Sequence, residues 1–100
     1  MCGAPVQKAN GAGLEGIDLK TQTVIQGVVE SDGAPVPAAY VRLLDATGEF
    51  TAEVVTSATG DYRFFAAPGS WTVRALSPIG RGESAVVADR GLTEAGISLT

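Results

Sequence analysis

The chain reads as an all-β protein, a seven-stranded sandwich, on three observations. Apolar and polar residues alternate with a period of two in one run after another. Breaks of Gly, Pro, Asp or Ser separate the runs about every ten residues. No segment of helical length carries a convincing apolar stripe at i, i+3 and i+4. Short strands at that spacing suit two packed sheets with Greek-key or related connections.

Taken in order, residues 1–20 hold Gly, Ala, Pro, Asn and scattered charge with no sustained apolar period, so a flexible N-terminal arm is expected there. Residues 21–100 are then the folded sandwich. Its strands are expected at 23–30, 39–46, 50–57, 61–66, 71–77, 84–88 and 95–100, rich in the Val, Ile, Thr, Tyr, Phe and Trp that a pleated, half-buried surface accepts. The first ends at Ser31-Asp32-Gly33-Ala34-Pro35, the second at Thr47-Gly48 and the third at Thr59-Gly60. Each break can supply a positive φ or a fixed φ at a bend. Asp61 to Ala66 and Trp71 to Ser77 flank a short Ala-Ala-Pro-Gly-Ser segment and read together as a β-hairpin.

Composition narrows function. One hundred residues make one domain with one core. Net charge is −4, and the seven basic residues are spread along the chain, which argues against nucleic-acid binding. No run approaches the length needed to span a bilayer, no charged start precedes an apolar segment, and a cytoplasmic location is expected. The absence of histidine removes the Ser-His-Asp and Cys-His templates and any imidazole metal site. Asp32, Asp45 and Asp61 sit at turns or strand ends, where turn formation accounts for them, and no Asp-x-Asp-x-Asp loop is present. Glu49 and Glu53 are four residues apart, about 13 Å at strand rise, too far to act as a pair. No cofactor, no metal and no enzymatic activity are expected.

Two resemblances add to this reading. Ile25-x-Gly27-x-Val29, Asp32-Gly33-x-Pro35-Val36, Ala39-x-Val41-x-Leu43, Thr59-Gly60-x-Tyr62-x-Phe64 and Pro68-Gly69-x-Trp71-x-Val73-x-Ala75 resemble the carboxypeptidase regulatory-like domain. That resemblance implies a seven-stranded transthyretin-like (prealbumin-type) β-sandwich, a fold that hosts scaffolds, adhesion modules and binding partners. The Met1-Cys2 start, Thr23-Val-Ile, Tyr40-Val-Arg-Leu-Leu-Asp45 and the block from Glu49 to Trp71 resemble a family of small stand-alone bacterial proteins, formerly a domain of unknown function. Its members are encoded beside rhodanese-type thiosulfate sulfurtransferases and are named SseC after that neighbourhood. The implied role is an accessory protein of sulfur metabolism. Transthyretin-related hydroxyisourate hydrolases share the general fold, but they use histidines and end in Tyr-Arg-Gly-Ser, whereas this chain ends Ile97-Ser98-Leu99-Thr100.

The family pattern places Tyr62 and Phe64 inward, with Trp71, Val73 and Ala75 on the next strand, and alternation then assigns the neighbours. Arg63, Phe65, Thr72, Arg74 and Leu76 are expected outside. Val41 and Leu43 are expected in the core, leaving Tyr40, Arg42 and Leu44 outside. If those strands share a sheet, Tyr40, Arg42, Leu44, Arg63, Phe65, Arg74 and Leu76 form one apolar and cationic partner-binding surface, of the residue types enriched in protein interfaces.

The leading expectation is therefore a non-catalytic protein that binds and modulates a rhodanese-type thiosulfate sulfurtransferase. A second is a sulfur carrier in which Cys2, an exposed thiol beside a cationic α-amino group once Met1 is removed, relays sulfur as a persulfide. A third is a sandwich module that binds carbohydrate or another ligand on Tyr40 and Phe65. Association of copies through edge strands is compatible with all three.

Overall fold

A computed structural model describes residues 20–100, which form nine β-strands and no helix. They are β1 (Thr23–Ser31), β2 (Ala34–Pro35), β3 (Tyr40–Leu44), β4 (Phe50–Val55), β5 (Asp61–Ala66), β6 (Gly69–Ser77), β7 (Gly80–Ala88), β8 (Gly91–Glu94) and β9 (Ile97–Ser98). Two sheets result. One is centred on β1, which pairs antiparallel with β2 and β5 and parallel with β8 and β9; the other has the order β4-β3-β6-β7 and is antiparallel throughout.

The all-β expectation holds, while the strand count is nine rather than seven. The first difference is local. Asp32 and Gly33 both adopt positive φ, 52° and 80°, so the chain folds back at once and Ala34–Pro35 pairs with Glu30 and Ser31 as β2. An Asp-Gly turn of this handedness matches the twist of the strands it joins. The segment expected as one strand over 95–100 is instead β9 alone, and β8 precedes it at Gly91–Glu94.

The expected hairpin between β5 and β6 does not form. β5 pairs with β1, whereas β6 pairs with β3 and β7, so the Ala67-Pro68 link carries the chain from one sheet to the other. Pro68 has no N–H to offer a ladder, and Gly69 follows with a φ of 147°. The crossing brings the inward residues of the two strands face to face in the core. Tyr62 and Phe64 from β5 are buried, as are Val73 and Ala75 from β6, and Trp71 packs half-buried at the edge of the same cluster.

That core also takes Ile25 and Val29 from β1, Val41 and Leu43 from β3, Val54 from β4 and Ile97 from β9. The rings of Tyr62 and Phe64 lie 5.9 Å apart and tilted by 58°, a favoured aromatic arrangement. The Tyr62 hydroxyl donates to the Ala95 carbonyl, so the phenol stays satisfied while its ring is buried. Burial pushes the Tyr62 phenol well above its ordinary value. The second sheet edge is tied to the first where the Ser84 hydroxyl donates to the Gly96 carbonyl and the Thr100 amide donates to the Arg81 carbonyl, both at 2.9 Å.

Candidate functional site

Because Val41, Leu43, Val54, Val73, Ala75, Val86 and Ala88 turn into the core, their alternate neighbours define the outer face of the four-stranded sheet. The register then fixes what lies beside what. Glu53 on β4 stands opposite Arg42 on β3, Arg42 opposite Arg74 on β6, and Arg74 opposite Glu83 on β7. One row of four charged residues thus crosses the whole sheet, acidic at both ends and basic at its centre. In the next row Val55, Tyr40, Leu76 and Arg81 are aligned in the same way.

Like charges placed directly opposite each other in a sheet are unfavourable, and each arginine here is held by a carboxylate on its other side. Arg42 Nε donates to Glu53 Oε2 at 2.8 Å, and Arg74 donates to Glu83 Oε2 at 3.3 Å through a terminal nitrogen. The two pairs differ in setting. The Glu53 side chain is only 4% exposed, so removing its partner would strand a charge, whereas both members of the Arg74–Glu83 pair face solvent and contribute little. Glu53 Oε1 is buried with no hydrogen-bond partner. Arg42 also lies 6.0 Å from the centre of the exposed Phe50 ring.

The seven residues expected to make one surface are divided by the fold. Tyr40, Arg42, Arg74 and Leu76 share the outer face just described. Arg63 and Phe65 lie on β5 in the other sheet, where Arg63 Nε donates to Gln26 Oε1 at 3.1 Å and Phe65 stands opposite Val24, 60% exposed. The physical reason is the crossing at Ala67-Pro68: two strands adjacent in sequence belong to different layers, so their outward residues face away from each other. Leu44 is a second correction. It is buried, because the register with β4 shifts between Leu43 and Leu44 and sets Leu44 between Phe50 and Thr72. Tyr40 and Phe65 stand on different sheets and offer no joint stacking platform for a sugar.

The face also contains residues that the strand pattern missed. Arg81, within Gly80-Arg81-Gly82, reads in sequence as a turn, yet β7 begins at Gly80 and presents Arg81 outward beside Leu76. Phe50, 58% exposed, and Val87, 79% exposed, enlarge its apolar area. Strand parity carried back from Val86 would have marked Arg81, Glu83 and Val87 as outward. Cys2 lies outside the described residues, as does the expected N-terminal arm apart from Lys20. Among the described residues there is no metal-binding cluster of acidic, Cys or His side chains, and no helix long and apolar enough to cross a membrane.

Comparison with known proteins places the chain in a family. Two Mycobacterium tuberculosis proteins, described as uncharacterized proteins Rv0814c and Rv3118, are each 53% identical to this chain over 103 residues, covering the whole of both partners. An uncharacterized protein of Mycolicibacterium smegmatis is 64% identical over 72 residues, covering 71% of this chain and 80% of the relative. A single family model spans residues 2–99, and the chain belongs to that family, described as a protein of unknown function (DUF1416).

Proposed function

We propose that the protein is a non-catalytic accessory protein that docks on a rhodanese-type thiosulfate sulfurtransferase and modulates it. The observation that carries a docking role is the outer face of the four-stranded sheet, where Tyr40 and Leu76 lie beside the central pair Arg42 and Arg74. Aromatic, aliphatic and arginine side chains bury large area, and guanidinium forks hydrogen-bond a partner's carboxylates, so this mixture favours a protein partner with an acidic patch. The identity of the partner rests on the resemblance of Tyr40 to Asp45 and Glu49 to Trp71 to the SseC-type family. In the same reading the two sheets are a transthyretin-like sandwich with short added strands, and the protein acts in the cytoplasm.

Binding to one conformation of an enzyme raises the population of that conformation, so turnover changes without any catalytic group from the accessory protein. The test is mixing the purified protein with a rhodanese-type thiosulfate sulfurtransferase of the same organism, followed by size-exclusion chromatography and thiosulfate turnover. Co-elution with altered turnover, unchanged in Cys2→Ser, supports a docking modulator. Loss of the effect in Cys2→Ser moves the reading to a persulfide relay, and separate elution with unaltered turnover overturns both.

A further inference from the structure

An open groove of about 490 Å³ lies on the arginine face, lined chiefly by Arg42, Arg74, Arg81, Leu76, Glu83 and Thr100. We propose that this groove is a binding site for a small oxyanion of the phosphate or sulfate class. Its volume falls within the range of small-molecule sites, and three guanidinium groups line it on a chain whose net charge is −4.

Each arginine keeps donors for a ligand. Arg42 uses Nε on Glu53, which fixes the fork and leaves its terminal nitrogens. Arg74 is held only by a 3.3 Å contact to the exposed Glu83. Arg81 makes no side-chain hydrogen bond or ion pair among the described residues. Because Arg74 stands opposite Glu83, Arg81 is its diagonal neighbour two residues along β7, a separation of about 7–8 Å that long side chains bridge. A tetrahedral oxyanion offers several acceptor oxygens to planar forks arriving from different strands, which one carboxylate does not. Glu83 is then the internal stand-in for the ligand, a weakly held carboxylate that an incoming dianion displaces from Arg74. Leu76 supplies the apolar part of the lining, on which the organic body of a phosphate ester would rest.

The site is tested on the full-length protein by following the arginine Nε–H signals by NMR during titration with inorganic phosphate, sulfate and phenyl phosphate, against chloride at matched ionic strength. Saturable shifts of Arg74 and Arg81 are expected, with phosphate weakened roughly tenfold in Arg81→Gln and tightened severalfold in Glu83→Gln. Arg90→Gln makes the same charge change on the exposed link between β7 and β8 and is expected to leave the affinity unchanged. Both altered groove residues are exposed, and the amide spectrum of each variant verifies the fold. Tighter binding of phenyl phosphate assigns the oxyanion to an organic ester, and equal binding assigns it to the free ion. Shifts that do not saturate, or that match chloride, or an Arg90→Gln loss equal to that of Arg81→Gln, overturn the site. The groove geometry alone carries this inference, so the absence of a sulfurtransferase complex leaves it standing.

Discussion

Arg42 Nε reaches Glu53 Oε2 at 2.8 Å across β3 and β4, and this pair anchors the arginine face to the sheet. Glu53 is nearly inaccessible, so Arg42→Gln strands a buried carboxylate. The partial exposure of Arg42 moderates the cost, which is expected to be about 1–3 kcal/mol in denaturant unfolding. Arg74→Gln, which breaks an exposed pair, is expected to cost less than about 0.5 kcal/mol. Adding Glu53→Gln to Arg42→Gln removes the stranded charge and is expected to recover part of the loss.

Tyr62 predicts an alkaline limit. Burial raises the folded phenol above the ordinary value of 10, so above that pH the unfolded chain releases a proton that the folded chain retains. Ionisation therefore stabilises the unfolded state. The contribution is fully present below pH 10 and is lost as pH rises beyond it toward the folded value. Tyr62→Phe leaves the Ala95 carbonyl without its donor and is expected to cost about 1 kcal/mol at neutral pH. That variant is also expected to show a flatter decline of unfolding free energy above pH 10, measured by urea titration at successive pH values.

Gly27 predicts a steric limit at the junction of β1 with β8 and β9. A Cβ there would lie 1.9 Å from the Ala95 carbonyl oxygen and 3.0 Å from the Tyr62 ring. Gly27→Ala must push apart the backbone that receives the Tyr62 hydroxyl, and is expected to destabilise by about 3 kcal/mol or more. Gly33→Ala meets nothing within 4 Å and carries only the cost of a positive φ, about 1 kcal/mol. Thermal unfolding of the two variants separates crowding from backbone strain.

Legibility in the sequence followed the range of the forces involved. Pleat alternation is local: the family resemblance implies its phase at Tyr62, Phe64, Val73 and Ala75, and alternation then places Val41 and Leu43 inward, all six of which are buried. Sheet membership is not local. Nothing in Ala66-Ala67-Pro68-Gly69-Ser70 distinguishes a hairpin from a crossing between layers, so the sequence groups Arg63 and Phe65 with Arg74 although they lie on the other sheet. The parallel pairing of β8 and β9 with β1 joins residues about seventy apart in sequence and leaves no short-range signature. Leu44 differs for a third reason: β3 keeps its alternation, but the irregularity in β4 sets Phe50 opposite Leu44, and cover by a neighbouring strand is not written in pleat parity. The row from Glu53 through Arg42 and Arg74 to Glu83 became visible only once the order of four strands was known.

In the proposed function a sulfurtransferase partner docks on the outer face of the four-stranded sheet. Calorimetric titration of the sulfurtransferase with Arg74→Glu and with Phe65→Ala addresses it most directly, because both residues are exposed and belong to opposite sheets. Binding is expected to be abolished or weakened at least tenfold by Arg74→Glu and unchanged by Phe65→Ala. Unweakened binding by a folded Arg74→Glu protein, or loss confined to Phe65→Ala, rules out docking on this face.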